Sequence, residues 1–138
     1  MSEYNSWNQK IIDEFRANEG KVGGQFEGAP VLLLTTTGAK SGNRHTTPVM
    51  YKQGEGTLHV FASKAGAPTN PDWYHNLVAN PTVTVEVGTD SFEATAALLP
   101  REERDRVYAE QSALYPGFAE YQEKTTRVIP VVALTKAG

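Results

Sequence analysis

Between Val31 and Ser63 three extended runs follow one another through connections too short for a crossover, and this limits the fold more than any other feature. Val31 to Thr37 is mostly apolar, with Val31, Leu32, Leu33 and Leu34 in succession, and reads as a central strand. In the second run, Thr46 to Lys52, Thr47, Val49 and Tyr51 share one face while Thr46, Met50 and Lys52 share the other. The turn Gln53-Gly54-Glu55-Gly56 leads to Thr57–Ser63, which sets Leu58, Val60 and Ala62 against His59, Phe61 and Ser63. Parallel neighbours need a long crossover, so these runs pair antiparallel as a meander. Pro48 cannot donate to a ladder, which predicts an edge position or a bulge there.

The remaining chain extends this pattern. Thr82–Val87 and Ser91–Leu99 form a hairpin about Gly88-Thr89-Asp90, with Val83, Val85 and Val87 on one face. Val128–Leu134 supplies a last strand, which Pro130 places at an edge or gives a bulge. Tyr4, Trp7, Ile11 and Phe15 recur at helical spacing and predict an amphipathic helix from about Ser6 to Asn18, ended by Gly20. That stripe packs on the domain or a neighbouring subunit, or lies on a membrane surface; a polar face poor in bases argues against the membrane. Lys21 to Pro30 reads as an irregular connection with Phe26 as an anchor. Asn70-Pro71 opens a short helix with Trp73 and Leu77 on its apolar side, and Asn80-Pro81 stops it. Pro100 to about Tyr115 and Phe118 to Lys124 are the last helices. About six strands with peripheral helices, and no strand–helix alternation, predict a mainly β fold: a small antiparallel barrel or a strongly curved sheet, its edges closed by the C-terminal strand. Residues 1–20 are expected to form an N-terminal amphipathic helix and residues 21–138 a single barrel domain.

The loop between the first two strands carries the chemistry. Gly38, Lys40, Ser41, Gly42, Arg44 and His45 lie in a stretch without an acid from Thr35 to Gln53. Glycines let amide groups approach a ligand, and Lys, Arg and Ser add donors for anionic oxygens. The reading is a phosphate or carboxylate cradle; a solvated basic hairpin loop is the alternative. Four bases (Lys40, Arg44, Lys52, Lys64) and one acid, Glu55, lie between Pro30 and Lys64, whereas the whole chain carries a net charge of −3. An acidic protein with one positive segment suits a compact anionic ligand and not a nucleic acid. The absence of cysteine excludes disulfides and thiolate metal sites, and His45, His59 and His75 form no metal-binding motif. Redox chemistry would need a bound cofactor. No secretory signal or transmembrane run is visible, so a cytoplasmic protein is expected.

Several pieces in fixed order carry a resemblance to a known family. They are Gly38-Ala39-Lys40-Ser41-Gly42 with Pro48, Ala62-Ser63-Lys64 with Gly66, Pro71-x-Trp73-Tyr74-x-Asn76-Leu77 with Asn80-Pro81, and Tyr115-Pro116-x-Phe118-x-x-Tyr121-Gln122. The chain resembles the deazaflavin-dependent nitroreductase family of actinobacteria, also described as F420H2-dependent quinone reductases. The resemblance implies a split β-barrel like those of flavin-binding proteins, and coenzyme F420 as cofactor. It assigns the cofactor's phosphate or oligoglutamate tail to Lys40, Ser41 and Arg44, with Thr46, Thr47 and Pro48 lining the groove and Val49 and Met50 near the ring. Ala62, Ser63 and Lys64 are expected at the ring and its side chain, with Trp73, Tyr74 and Asn76 completing the cofactor side.

By the same resemblance, the reaction is hydride transfer from the reduced deazaflavin to a quinone or related enone or nitro acceptor. Ser63, Tyr115 and Tyr121 are the expected catalytic residues, and Tyr115, Phe118 and Tyr121 the acceptor-binding ones. Phe118 departs from the tyrosine-lined pocket expected of nitroimidazole-activating members, which favours quinones. An FMN-dependent oxidoreductase, or a non-catalytic flavin- or deazaflavin-binding protein on the same barrel, is the alternative. The expected partners are a small electrophilic acceptor and, through the N-terminal helix, a homodimer mate or a weak membrane-surface contact.

Overall fold

The computed structural model describes residues 3–21, 30–54, 56–63, 66 and 69–137, and side chains from residue 9 onward. The element order is α1 (Glu3–Ala17), β1 (Val31–Thr37), β2 (Arg44–Gln53), β3 (Thr57–Phe61), α2 (Asp72–Ala79), β4 (Thr82–Val87), β5 (Asp90–Leu98), α3 (Arg101–Leu114), α4 (Gly117–Glu123) and β6 (Val131–Lys136). The strands pair antiparallel into a closed barrel in the order β1-β2-β3-β6-β5-β4. Alternation decides what fills it. Leu32, Leu34, Leu58, Val60, Val83, Val85, Ala94, Val132 and Leu134 form the interior, and Trp73 and Leu77 of α2 join the same cluster. The expected mainly β barrel with peripheral helices is the fold observed, and the C-terminal strand closes it between β3 and β5.

Both strand prolines are explained by the ladder. Tyr51 N–H donates to Pro30 O and Gly38 N–H to Asn43 O, so hydrogen-bonded pairs of β1 and β2 alternate from either end. Leu33–Pro48 therefore falls on a non-bonded pair, with the Pro48 nitrogen turned away from β1. On that side β3 pairs with β2 only over Tyr51, Lys52 and Gln53, so Pro48 meets an open edge, as expected. Pro130 departs from expectation. It precedes β6 instead of lying within it, and β6 is an interior strand that needs neither an edge nor a bulge. The Pro130 carbonyl accepts from Ala62 N–H at 3.0 Å, a bond for which a missing proline N–H is irrelevant. The second strand also starts earlier than predicted, at Arg44, which moves Arg44 and His45 from the loop into the ladder.

Two helical layers cover the barrel's outer face. Ile12 and Phe15 of α1 bury themselves on Val31 and Leu33, with Met50 alongside. Arg16 adds a two-pronged ion pair to Glu86 of β4, at 3.1 and 2.9 Å. Both partners of this pair reach solvent, so it orients the helix more than it stabilises it. The side chains of Tyr4 and Trp7, and the predicted anchor Phe26, lie outside the described residues. Among those described, no helix is long and apolar enough to cross a membrane.

On the other side, Val107 and Tyr108 of α3 and Phe118 of α4 pack on Phe61, Ile129 and Val131. Beside this cluster, His59 is buried under α3 and its Nδ1 has no hydrogen-bond partner among the described residues. Burial, with the Lys52 charge second, pushes its pKa below the ordinary histidine value. Between that lowered value and about 6.5 the unfolded chain binds more protons than the folded one, so stability falls as pH drops through this window. Urea midpoints measured from about pH 7.5 down to about pH 5 should decline less steeply in His59→Leu than in the parent. Equal slopes would show that His59 does not contribute.

Candidate active site

Because β3 pairs with β2 only over Tyr51, Lys52 and Gln53, β2 from Arg44 to Met50 has no strand partner on that side, and this split in the ladder marks the candidate site. On β2 the non-bonded pairs Met50–Val31, Pro48–Leu33, Thr46–Thr35 and Arg44–Thr37 turn their backbone groups toward the split. The close approach expected of such pairs is visible at Thr35 and Thr46, whose hydroxyls lie 2.8 Å apart. Side chains at 44, 46, 48 and 50 project outward, whereas Thr47 and Val49 take the opposite face, and Val49 packs on the barrel interior. Of the five groove positions from Thr46 to Met50, alternation thus gives the outer face Thr46, Pro48 and Met50. Met50 packs between α1 and the cluster that includes Tyr115 and Tyr121.

At one end of the split stands the glycine loop. Gly42 N–H donates to Gly38 O at 3.0 Å, making a single helical turn, and Gly42 takes the left-handed φ of 73° that glycine tolerates. Ser41 Oγ accepts from Asn43 N–H at 3.1 Å, which closes the turn from inside. Asn76 of α2 accepts from Ala39 N–H at 3.1 Å through Oδ1 and donates to Thr36 Oγ1 at 3.1 Å through Nδ2. Asn76 therefore uses both ends of its amide to pin the loop to the barrel. Lys40 and Ser41 N–H have no acceptor among the described residues, and Lys40 is exposed beside them. Arg44 reaches across β1 to Thr84 Oγ1 at 2.5 Å and has no carboxylate partner among the described residues.

The four bases do not act together. Lys52 pairs with Glu110 of α3 at 3.2 Å, which holds that carboxyl below its usual pKa range. Lys64 lies outside the described residues. Lys40 and Arg44 remain as bases without a carboxylate partner among the described residues. With the Lys40 and Ser41 amides and the Ser41 hydroxyl, they are the candidates for holding a phosphate or carboxylate group.

The opposite wall comes from the end of β3 and from α4. Ala62 is buried in the barrel core, and Ser63 is half-buried with its carbonyl accepting from Gly66 N–H at 2.9 Å. Trp73 is 7% exposed and belongs to the barrel core, while Tyr74 is half-buried against it, edge-on to His75. Phe118 is 6% exposed, with ring centroids 5.4 Å from Phe61 and from Tyr121 and 6.2 Å from Tyr108. Tyr115 and Tyr121 are half-buried on the same cluster and keep part of their surface toward solvent. Phe118 thus packs inward, flanked by Tyr121 of the same helix and by Tyr115, which lies between α3 and α4.

Sequence reasoning missed the polar scaffold behind this wall. Arg104 donates to Ile129 O at 2.8 Å and also binds Asp105 and Gln122 Oε1, while its guanidinium lies over the Tyr108 ring. Gln122 donates to Arg127 O at 2.7 Å and accepts from Ile129 N–H at 3.1 Å. Tyr108 donates its hydroxyl to Phe118 O at 2.6 Å, and burial pushes its pKa up to about 12. It stays a neutral donor across the physiological range. No local sequence signal marks these roles of Arg104 and Arg127, because Ile129 and Gln122 for the first, and Ala62, Ser63 and Asn70 for the second, lie far along the chain.

A family model described as F420H(2)-dependent quinone reductase matches residues 7–136. An F420H(2)-dependent quinone reductase of Mycobacterium tuberculosis (strain H37Rv) is 40% identical over 128 residues, spanning 88% of this chain and 85% of that protein. A solved F420-H2 dependent reductase is 44% identical, with a TM-score of 0.69 over 76% of this chain and 93% of that one. A second solved chain, described as a domain-swapped dimer, is 37% identical, with a TM-score of 0.72 over 96% of this chain and 99% of its own. The split barrel, its basic loop and its aromatic wall are therefore those of a chain that belongs to the F420H(2)-dependent quinone reductase family.

Proposed function

We propose that this protein is a reductase that transfers a hydride from reduced coenzyme F420 to a quinone or a related electrophilic enone or nitro compound. The observation that supports this reading is that Lys40 on the glycine loop and Arg44 at the start of β2 have no carboxylate partner among the described residues, while β2 from Arg44 to Met50 has no strand partner on its β3 side. The bound reduced deazaflavin supplies the hydride. Lys40, Arg44, the Ser41 hydroxyl and the loop amides bind its anionic tail, and Asn76 keeps the loop in the shape that presents them. The outer residues Thr46, Pro48 and Met50 form the floor under the ring, with Ser63 at its edge. Trp73 acts from within the core by holding α2, and through it Asn76, in place.

Reduction of a quinone needs one hydride and one proton, and yields the hydroquinone. Tyr121 and Tyr115 orient the acceptor carbonyl and donate a hydrogen bond to the oxygen on which charge develops; the proton comes from the phenol or from solvent behind it. Met50, packed beside the Tyr115 and Tyr121 cluster, keeps water from the transfer path, while Phe118 supports the two tyrosines from within the core.

Single-turnover oxidation of the prebound reduced cofactor by a small panel of quinones, enones and nitroaromatics tests the reading. Tyr121→Phe should leave cofactor affinity intact and slow acceptor reduction about tenfold, since about 1.4 kcal/mol of lost transition-state hydrogen bonding is a factor of ten. Parental rates in both Tyr115→Phe and Tyr121→Phe with every acceptor would remove the hydroxyls from the reaction. Tight FMN binding without F420 binding, read from absorbance spectra, would favour a flavin enzyme instead.

A further inference from the structure

Arg127 lies between β-barrel and helix in the segment that leads from α4 to β6. Its Nη1 donates to Ala62 O at 3.0 Å and to Asn70 Oδ1 at 2.7 Å, and its Nη2 donates to Ser63 O at 2.8 Å. The same Ser63 carbonyl accepts from Gly66 N–H, so two donors from different parts of the chain fix one peptide plane. The backbone of Arg127 is held in turn by Gln122 of α4, whose Oε1 is also bound by Arg104 and by Ile129 N–H. A guanidinium presents its donors in a rigid planar fork, so this contact specifies orientation as well as distance.

A second contact closes the link. Gly66 is buried at φ 82°, and a Cβ there would stand 2.8 Å from Tyr121 O and 2.9 Å from Lys124 Cβ. The backbone at Gly66 therefore rests directly on the α4 backbone at Tyr121. Gly66 and Arg127 thus both link Ser63, proposed to touch the cofactor, to the helix proposed to touch the acceptor.

From this geometry we infer that Arg127 is a positioning residue for hydride transfer: it sets the separation and angle between the Ser63 edge of the cofactor site and Tyr121 on the acceptor side. The inference rests on the reductase reading. Donor and acceptor carbons must meet at near-contact distance, and small misplacements remote from the chemistry reduce the rate steeply. Arg127 touches neither reactant, so its loss should change the rate of the bound complex and leave binding at the Lys40–Arg44 end alone.

The test uses the full chain as parent, Arg127→Gln, Arg127→Lys and Gly66→Ala. With prebound reduced F420, Arg127→Gln should lower the single-turnover rate about tenfold or more, with the cofactor Kd within about threefold of the parent. Arg127→Lys should recover part of the rate, because an ammonium still reaches one or two of the three oxygens. Gly66→Ala should give the same split between rate and affinity without touching the guanidinium. In the protein alone, hydrogen exchange should rise together around Ser63 and along α4 in Arg127→Gln, and stay parental in β1, β4 and β5.

Parental rates in Arg127→Gln and Gly66→Ala would overturn the inference, as would exchange that rises evenly over the barrel. A Kd that worsens in step with the rate would also overturn it, since that marks a plain structural role. A parent that neither binds nor oxidises reduced F420 removes the reductase reading and this role with it; an active parent with unaffected variants removes this role only.

Discussion

Truncating Phe118 to alanine should remove about 3–5 kcal/mol of stability, the range for large aromatic side chains lost from a packed core. The ring is 6% exposed and sits edge-on to Phe61, Tyr108 and Tyr121, so few neighbours can move in to fill the space it leaves. The consequence is larger for α4 than for the barrel. A helix of 7 residues has no stability of its own, and α4 is held by this ring and by polar bonds to its backbone and to Gln122. The variant should therefore retain F420 binding at the Lys40 end and lose acceptor reduction, because Tyr121 rides on the loosened helix. Guanidinium denaturation gives the stability, and cofactor fluorescence titration gives the affinity. A loss below about 1 kcal/mol would mean that the Arg104–Gln122–Arg127 bonds hold α4 by themselves. Phe118→Tyr should not restore a pocket hydroxyl: the added oxygen enters a buried ring cluster, where an unpartnered hydroxyl costs about 1–3 kcal/mol.

The second large effect is expected in cofactor binding. Arg44→Ala should weaken the affinity for F420 by roughly 1.5–3 kcal/mol, the value of a hydrogen bond to a charged group once water is excluded. Thr84 Oγ1 holds the guanidinium in place before any ligand arrives, which lowers the entropy lost on binding. Lys40→Ala should show the smaller loss, since an exposed ammonium on a flexible stem is less organised. Rising salt should weaken the parent more than either variant. Lys52→Ala provides the control, because that ammonium already faces Glu110 and should leave cofactor affinity near the parental value. Unchanged affinity in both Arg44→Ala and Lys40→Ala at low salt would place the anionic tail elsewhere.

The split between these two predictions follows the architecture. One end of the site is set by a turn that Asn76 pins to the barrel, and the other by a short helix that hangs on one aromatic ring and a few polar bonds. Affinity and rate should therefore respond to different sets of substitutions.

Strand faces were legible from residue order alone. Alternation set Leu58 and Val60 on one face and His59 and Phe61 on the other, because a strand turns successive side chains to opposite faces by covalent geometry; the closed barrel made the first face its interior. The absence of crossovers narrowed the fold to an antiparallel barrel or a strongly curved sheet, and the missing N–H of Pro48 to an edge or a bulge; the closed ladder and the short β2–β3 register decided for the barrel and the edge. The glycine loop was legible as a candidate anion site because its residue types are local and lie together. Tertiary structure decided which of these residues share a space. Lys52 left the basic set because Glu110, far along the chain, lies opposite it, and Phe118 turned into the core because Phe61 and Tyr108 wait there. Asn76 became a brace for the loop through two hydrogen bonds to β1 and its turn. Arg104 and Arg127 gave no sign of their roles in the sequence. Apart from Asp105 beside Arg104, the partners of these guanidinium groups are backbone carbonyls and side-chain amides, which any sequence offers everywhere, and only the closed barrel brings the right ones within reach.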